Sequence, residues 1–109
     1  MLSSERKIGK LFIKFLTWNK KKKAINLLDT YPECIMPWQK AFESTADNNM
    51  FDICIWILEQ QITFNFTINR DYIENTLYTK LENMATMFKN SDGQKYIDLL
   101  EKIRITNDQ

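Results

Sequence analysis

Glycine and proline, which supply the backbone angles of most tight turns, are scarce in this chain. Only two of each occur among its 109 residues. An all-β protein needs a turn after every short strand, and glycine and proline are the residues that most often make those turns. Long stretches without either residue favour helices. We therefore predict an all-α protein.

Apolar residues recur with the helical period in six segments of the sequence. The pattern is strongest in the first segment, where one helix face carries Ile8, Leu11, Phe12, Phe15 and Leu16. Short polar turns join the six segments in pairs, which predicts three stacked helix-turn-helix hairpins over residues 4–31, 37–60 and 70–104. A chain of this length can bury one core, so we predict a single helical-repeat domain over residues 1–109.

The fourth segment, residues 50–60, is apolar on nearly every side, which is typical of a helix at the centre of a core. After it, residues 62–68 alternate apolar and polar side chains, as a half-buried strand does. No second strand is visible to pair with it, so we predict an extended loop lying across the core.

Two helix starts carry capping signals. Asn69 precedes the fifth segment and is predicted to cap it, since an asparagine oxygen accepts from the first free N–H groups of a helix. Ser91 and Gln94 are spaced as a capping box before the sixth segment.

The hairpins also resemble one another in sequence. A shift of thirty residues aligns Phe12 with Phe42, Ala24 with Cys54, and Leu27–Asp29 with Ile57–Glu59. A shift of forty-two residues aligns Ile57–Glu59 with Leu99–Glu101. Together these matches predict three copies of one helical hairpin.

The segment Asn49–Asn65 resembles the second helix of an ankyrin repeat and the loop that follows it. The apolar positions of that pattern are occupied by Ile53, Cys54, Ile57 and Leu58, and Asn65 stands at its closing asparagine. The chain departs from the family in two ways. No Thr-Pro-Leu-His motif opens a helix, and Gln61 replaces the usual glycine.

The ankyrin resemblance implies a non-catalytic protein–protein interaction module. A short stack with an apolar end is also expected to dock or to form a homo-oligomer, because terminal repeats need polar outer faces. Degenerate hairpins rich in Lys, Asn and Ile are similar to those coded by AT-rich genomes, including large DNA viruses. A viral or accessory factor that binds a host or assembly partner fits this expectation.

Positive charge is concentrated at the start of the chain. Residues 1–26 carry eight Lys or Arg against Glu5 alone, whereas the remainder carries seven bases against thirteen acids. The sharpest local feature is a predicted turn of four lysines, flanked by Trp18, that is formed by Lys20, Lys21, Lys22 and Lys23. One interpretation is a patch that faces an acidic protein, nucleic acid or anionic lipid. The other is a solvated turn whose lysine stems cover apolar surface. The patch gives the alternative function, a small basic protein that binds nucleic acid or a membrane surface through its N-terminal hairpin.

Four aromatic residues are not committed to one helix face by the apolar period: Trp18, Trp38, Phe64 and Phe66. Any of them that is exposed is a candidate binding residue, because aromatic side chains dominate binding hot spots. The alternative is that they close the ends of a small core.

The sequence contains no histidine. This removes histidine-based catalysis and the commonest zinc ligand. No glycine-rich loop is present to hold a phosphate. We therefore predict no enzyme activity, no cofactor and no metal site.

Cellular location is indicated by the cysteines and the N-terminus. Cys34 and Cys54 lie outside any CxxC motif and are predicted to be buried thiols in a reducing compartment. The longest apolar run has six residues, Ile53–Leu58, which predicts no transmembrane segment, and no secretory signal is visible. We expect an intracellular protein, cytoplasmic or nuclear. The basic, amphipathic start is also compatible with a mitochondrial presequence, although its apolar stripe continues downstream.

Overall fold

The computed structural model describes the backbone of residues 2–108 and the side chains of residues 4–108, and this part of the chain is helical without any strand. The all-α prediction is confirmed. The α-helices are α1 (Leu2–Thr17), α2 (Lys21–Thr30), α3 (Trp38–Asp47), α4 (Phe51–Glu59), α5 (Gln61–Phe64), α6 (Arg70–Tyr72), α7 (Tyr78–Met87) and α8 (Gly93–Asn107). A π-helical stretch, Ile73–Leu77, joins α6 to α7.

The helices form the predicted hairpins. The first hairpin is α1 with α2, the second is α3 with α4, and the third pairs the run from α6 to α7 with α8. The chain divides into two compact units, Met1–Cys54 and Ile55–Gln109, and the boundary falls within α4. The description as one domain stays a prediction.

In the first unit, α1 packs against both α2 and α3. Phe12 and Leu16 on α1 are fully buried. Phe12 meets Trp38 of α3 edge to face, with ring centroids 5.0 Å apart and an interplanar angle of 78°. This is a preferred geometry for two aromatic rings, and it fixes α3 on the predicted inner face of α1.

The α3–α4 hairpin is joined by a buried polar contact. The Thr45 hydroxyl lies 2.9 Å from the Ala41 carbonyl oxygen and 3.3 Å from the Cys54 Sγ. The backbone thus satisfies the hydroxyl, as a buried polar group requires. Thr45 and Cys54 are both fully buried, which confirms the predicted burial of Cys54.

In the second unit, α7 packs against α8. Ile73, Leu77 and Leu81 are fully buried at a four-residue spacing. Gly93 opens α8 where a Cβ atom would lie only 2.8 Å from the Ala85 carbonyl oxygen. The glycine is therefore needed for close approach between the start of α8 and the end of α7. An ion pair of 3.3 Å between Arg104 and Glu82 also joins the two helices.

The extended loop predicted over residues 62–68 is wrong for its first half. Residues Gln61–Phe64 form α5, Asn65 is the left-handed residue that ends it, and residues 66–69 have no regular structure. A lone strand would leave its N–H and C=O groups unpaired, whereas a helical turn pairs them within the segment. In the remaining loop, the Ile68 N–H donates to the Gln61 Oε1 at 2.9 Å, and the Ile68 side chain is buried.

The two capping predictions had different outcomes. The Asn69 side chain accepts from the Tyr72 N–H at 2.9 Å, which confirms the first. The capping box at Ser91 and Gln94 is wrong. The residue at the cap position is Asp92, which makes no side-chain cap, and Gln94 instead donates to Asp98 at 2.9 Å.

Three helices end at asparagines in the left-handed conformation: Asn19 (φ 58°), Asn49 (φ 59°) and Asn65 (φ 53°). At each, the next residue closes the helix end with a backbone bond to the residue five positions earlier. For Asn49 this bond runs from the Met50 N–H to the Thr45 carbonyl at 2.8 Å. This is the Schellman pattern, which glycine usually makes.

Two of the left-handed asparagines support the alignment of the first hairpin with the second. Asn19 and Asn49 are separated by the same thirty residues that align the first two hairpins. The aligned pair Phe12 and Phe42 is fully buried. Ala24 and its aligned partner Cys54 are fully buried too. The alignment of the first two hairpins therefore has a counterpart in backbone geometry and burial, whereas the third copy stays a prediction.

We predict opposite effects for one substitution at two asparagines. Asn49→Ala should lower the free energy of unfolding by about 1 kcal/mol, because alanine is strained in the left-handed region. Asn26 lies exposed within α2, where alanine is the better helix former, so Asn26→Ala should raise stability by about 0.5 kcal/mol. Asn49→Gly should be neutral or slightly stabilising. Urea unfolding measures all three, and a stabilising Asn49→Ala would contradict the left-handed assignment.

Candidate functional site

The four lysines lie at the start of α2. Lys20 stands at the cap position, and Lys21, Lys22 and Lys23 form the first turn of the helix, so the predicted lysine turn is mostly helical. All four residues are exposed. The Schellman end of α1 places them, because the Lys20 N–H donates to the Phe15 carbonyl oxygen at 2.7 Å and the chain then enters α2 directly.

The charges at the start of α2 are opposite in sign to those that usually stabilise the start of a helix. The first turn of a helix carries partial positive charge and favours acidic side chains or a Ser, Thr, Asp or Asn cap. The first turn of α2 contains no acid, and Lys20 makes no side-chain cap. The lysines are therefore placed where they oppose both the helix dipole and one another. Such a local conflict is expected at functional sites more often than elsewhere.

Trp18 lies beside these lysines and is 57% exposed. The Nζ atoms of Lys14 and Lys20 each lie 5.7 Å from the centroid of the Trp18 ring. Cations at this distance are attracted to the ring face, by about 0.5–1 kcal/mol at exposed sites. We name the set Lys14, Trp18 and Lys20–Lys23 the lysine–tryptophan surface. It presents an aromatic side chain with cations on either side of it in sequence.

The positive charge continues along α1. Arg6, Lys7 and Lys10 are exposed, and Glu5 is the acidic residue of that helix. A second aromatic contact lies nearby in the sequence, since the Nζ of Lys23 is 5.7 Å from the Phe15 ring centroid. The first hairpin therefore presents a basic surface, as the charge distribution of the sequence predicted.

The other aromatic candidates do not join this surface. Trp38 is 6% exposed and packs on Phe12, so its prediction as a binding residue is wrong and the alternative core role holds. Phe64 on α5 is exposed and Phe66 is half-buried. Both belong to the second unit, where Phe66 lines a cleft of about 580 Å³ between α5, the following loop and the end of α8.

One exposed residue was missed by the sequence analysis. Ile35 is 92% exposed in the non-helical segment between α2 and α3. The apolar period assigns inner and outer faces only within helices, so it gives no information about this segment. The available signal is the position of the isoleucine between Pro32 and Pro37, where no helical period assigns it to a buried face.

The two cysteines are free thiols in different environments. Cys54 is buried, but Cys34 is partly exposed, so the prediction of two buried thiols is wrong for Cys34. Burial raises the pKa of the Cys34 thiol above its ordinary value, and the carboxylates of Glu5 and Glu33 raise it further. Each of these effects disfavours the thiolate.

Within residues 4–108 no three His, Cys, Asp or Glu side chains are grouped so that they could hold a metal ion. No helix of the described chain combines the length and apolarity needed to cross a membrane. Comparison of the chain with protein-family models, with curated proteins and with solved structures finds no match.

We predict that Cys34 is alkylated slowly. Its raised pKa leaves less thiolate at a given pH, and the thiolate is the reactive form. Iodoacetamide at mildly alkaline pH, followed by mass spectrometry, should modify Cys34 more slowly in the folded protein than in urea. Glu33→Gln should accelerate the reaction, whereas Asp29→Asn serves as a control without effect. A faster reaction in the folded protein would contradict the assigned environment.

Proposed function

We propose that the protein is a non-catalytic binding module that docks on an acidic surface of a protein partner through the lysine–tryptophan surface. The observation that carries this proposal is the start of α2, where three lysines occupy the first turn without an acid or a cap. The charges of these lysines oppose the helix dipole and one another, which disfavours this arrangement electrostatically. A negatively charged partner would relieve it, because it neutralises the lysines and supplies the charge that the helix N-terminus favours.

A protein partner is favoured over nucleic acid for three reasons. The net charge of the chain is only +1, whereas nucleic-acid-binding domains are commonly strongly basic. The surface also uses lysines, which lack the planar fork with which arginine recognises phosphates and bases. Trp18 adds the aromatic contact typical of protein hot spots. Nucleic acid and an anionic membrane surface are the competing targets that the experiment must separate.

An ankyrin-like relationship is part of the same proposal. It is supported by the resemblance of Asn49–Asn65 and by the two left-handed asparagines thirty residues apart. Ankyrin-like hairpins serve protein binding, and the absence of histidine from the sequence agrees with a non-catalytic role. Under this proposal the protein is an accessory factor, of viral or cellular origin, that acts on a host or assembly partner.

We further propose a reducing intracellular compartment, cytoplasm or nucleus, because both cysteines are free. Self-association through an apolar surface is a second proposal. On α8, Ile97 and Ile105 are 46% and 60% exposed and are the residues that such a contact would cover. Light scattering of the purified protein tests the oligomeric state, and a disulfide found in cell-derived protein would contradict the compartment.

We predict that replacing Lys20–Lys23 by serine affects binding far more than folding. The lysines are exposed and oppose the helix dipole, so stability should change by less than about 1 kcal/mol, or rise. Binding to poly-glutamate should weaken, most strongly at low salt, because exposed charges act over a Debye length of about 10 Å at 0.1 M. Fluorescence titrations with poly-glutamate, duplex DNA and phosphatidylserine vesicles measure the three targets.

The matched control removes the same charge from the second unit by replacing Lys80, Lys89, Lys95 and Lys102 with serine. It should leave poly-glutamate binding nearly unchanged if the lysine–tryptophan surface is the site. Equal losses in both variants would show that net charge alone is responsible. Binding of the wild type to DNA or vesicles, but not to poly-glutamate, would select the competing function.

A further inference from the structure

A groove lies in the first unit beside the first half of α1. Its volume is about 560 Å³, and it is lined by residues of α1, of α3 and of the segment between α2 and α3. Three of the lining side chains are cationic, Arg6, Lys10 and Lys40, and three are apolar, Ile13, Ile35 and Pro37. Glu5 is the acidic residue of the lining. The groove therefore combines apolar surface with an excess of positive charge.

One wall of the groove is formed by a close contact between Gly9 and Pro37. Gly9 lies buried within α1, where glycine is an unfavourable helix residue. A Cβ atom at this position would be 3.2 Å from the Cδ of Pro37 and 3.3 Å from its Cγ. Gly9 thus allows Pro37 to pack directly on the helix, and the half-buried Pro37 forms the apolar lining of the groove together with Ile13 and Ile35.

The side chain of Ile35 has no role in the packing of this chain. At 92% exposure it buries almost nothing in this chain. Together with Ile13 and Pro37 it forms an apolar patch rimmed by charged residues, which is typical of an interaction site. The charges of the groove specify its occupant further, because Arg6, Lys10 and Lys40 are complementary to carboxylates.

We propose that this groove binds an acidic amphipathic helix of a protein partner. The apolar side chains of such a helix pack on Ile13, Ile35 and Pro37, and its carboxylates pair with Arg6, Lys10 and Lys40. Nucleic acid matches the charge but supplies no aliphatic side chains for the groove. The groove uses none of the residues of the lysine–tryptophan surface. The inference therefore extends the proposed function to a second site, and each can fail without the other.

The probe is a fluorescein-labelled peptide of about 14 residues, four turns of helix, built from Leu on one face and Glu on the other. Titration of the wild type should give saturable binding, and amide NMR shifts should be confined to residues 5–13 and 35–40. Ile35→Ser should weaken binding about tenfold, as loss of a hot-spot residue does. The double variant Arg6→Glu, Lys10→Glu should weaken it at least as much.

Three controls make the outcome decisive. Ile62→Ser removes an isoleucine that is 86% exposed in the second unit and should leave the affinity unchanged. The Lys20–Lys23 serine variant should change it less than about twofold, since exposed charges outside the groove contribute little. A peptide with Lys in place of Glu should not bind. The inference is overturned if no peptide binds, if the shifts fall at Lys20–Lys23, or if Ile35→Ser and Ile62→Ser act equally.

Discussion

The helix α4 is apolar on nearly every side, so the fold has to keep nearly every side of it away from water. Six of its nine residues are at most 5% exposed: Phe51, Ile53, Cys54, Ile55, Ile57 and Leu58. Burying each large apolar side chain contributes about 1.5–3 kcal/mol, so no other helix of similar length offers a comparable gain. The described hairpins on either side of α4 in sequence carry one buried face each, which is what surface helices require.

Helix ends often need a residue in the left-handed conformation, and in this chain, which has only two glycines, asparagines take that conformation. The left-handed conformations that end α1, α3 and α5 are taken by Asn19, Asn49 and Asn65, while Gly9 and Gly93 are kept for places where a Cβ atom would be crowded. Asparagine tolerates the left-handed region better than other residues with a side chain. The left-handed Asn19 also determines where the lysine–tryptophan surface lies, because the turn that it makes after α1 places the four lysines at the start of α2.

The sequence predicted the features that depend on helical periodicity, namely the hairpins and the burial of α4. The predictions from the sequence were wrong where backbone hydrogen bonding or a contact distant in sequence, and not periodicity, determined the structure. Residues 62–64 alternate like a strand, but a segment without a partner pairs its backbone as the helix α5. Burial of Trp38 depends on Phe12, which is distant in the sequence. For the candidate sites, charge clustering indicated the lysines, whereas nothing periodic could reveal Ile35 in the segment between two prolines.

Native-state hydrogen exchange tests the role of α4 most directly. If α4 is the element on which the fold depends, its amides on both sides of the Cys54–Ile55 peptide bond should exchange only through global unfolding. Their opening free energy should then equal the free energy of unfolding measured with urea. The amides of α2, whose side chains are mostly exposed, should open at lower cost. Exchange of α4 through local opening, at a free energy well below the global value, would contradict the account.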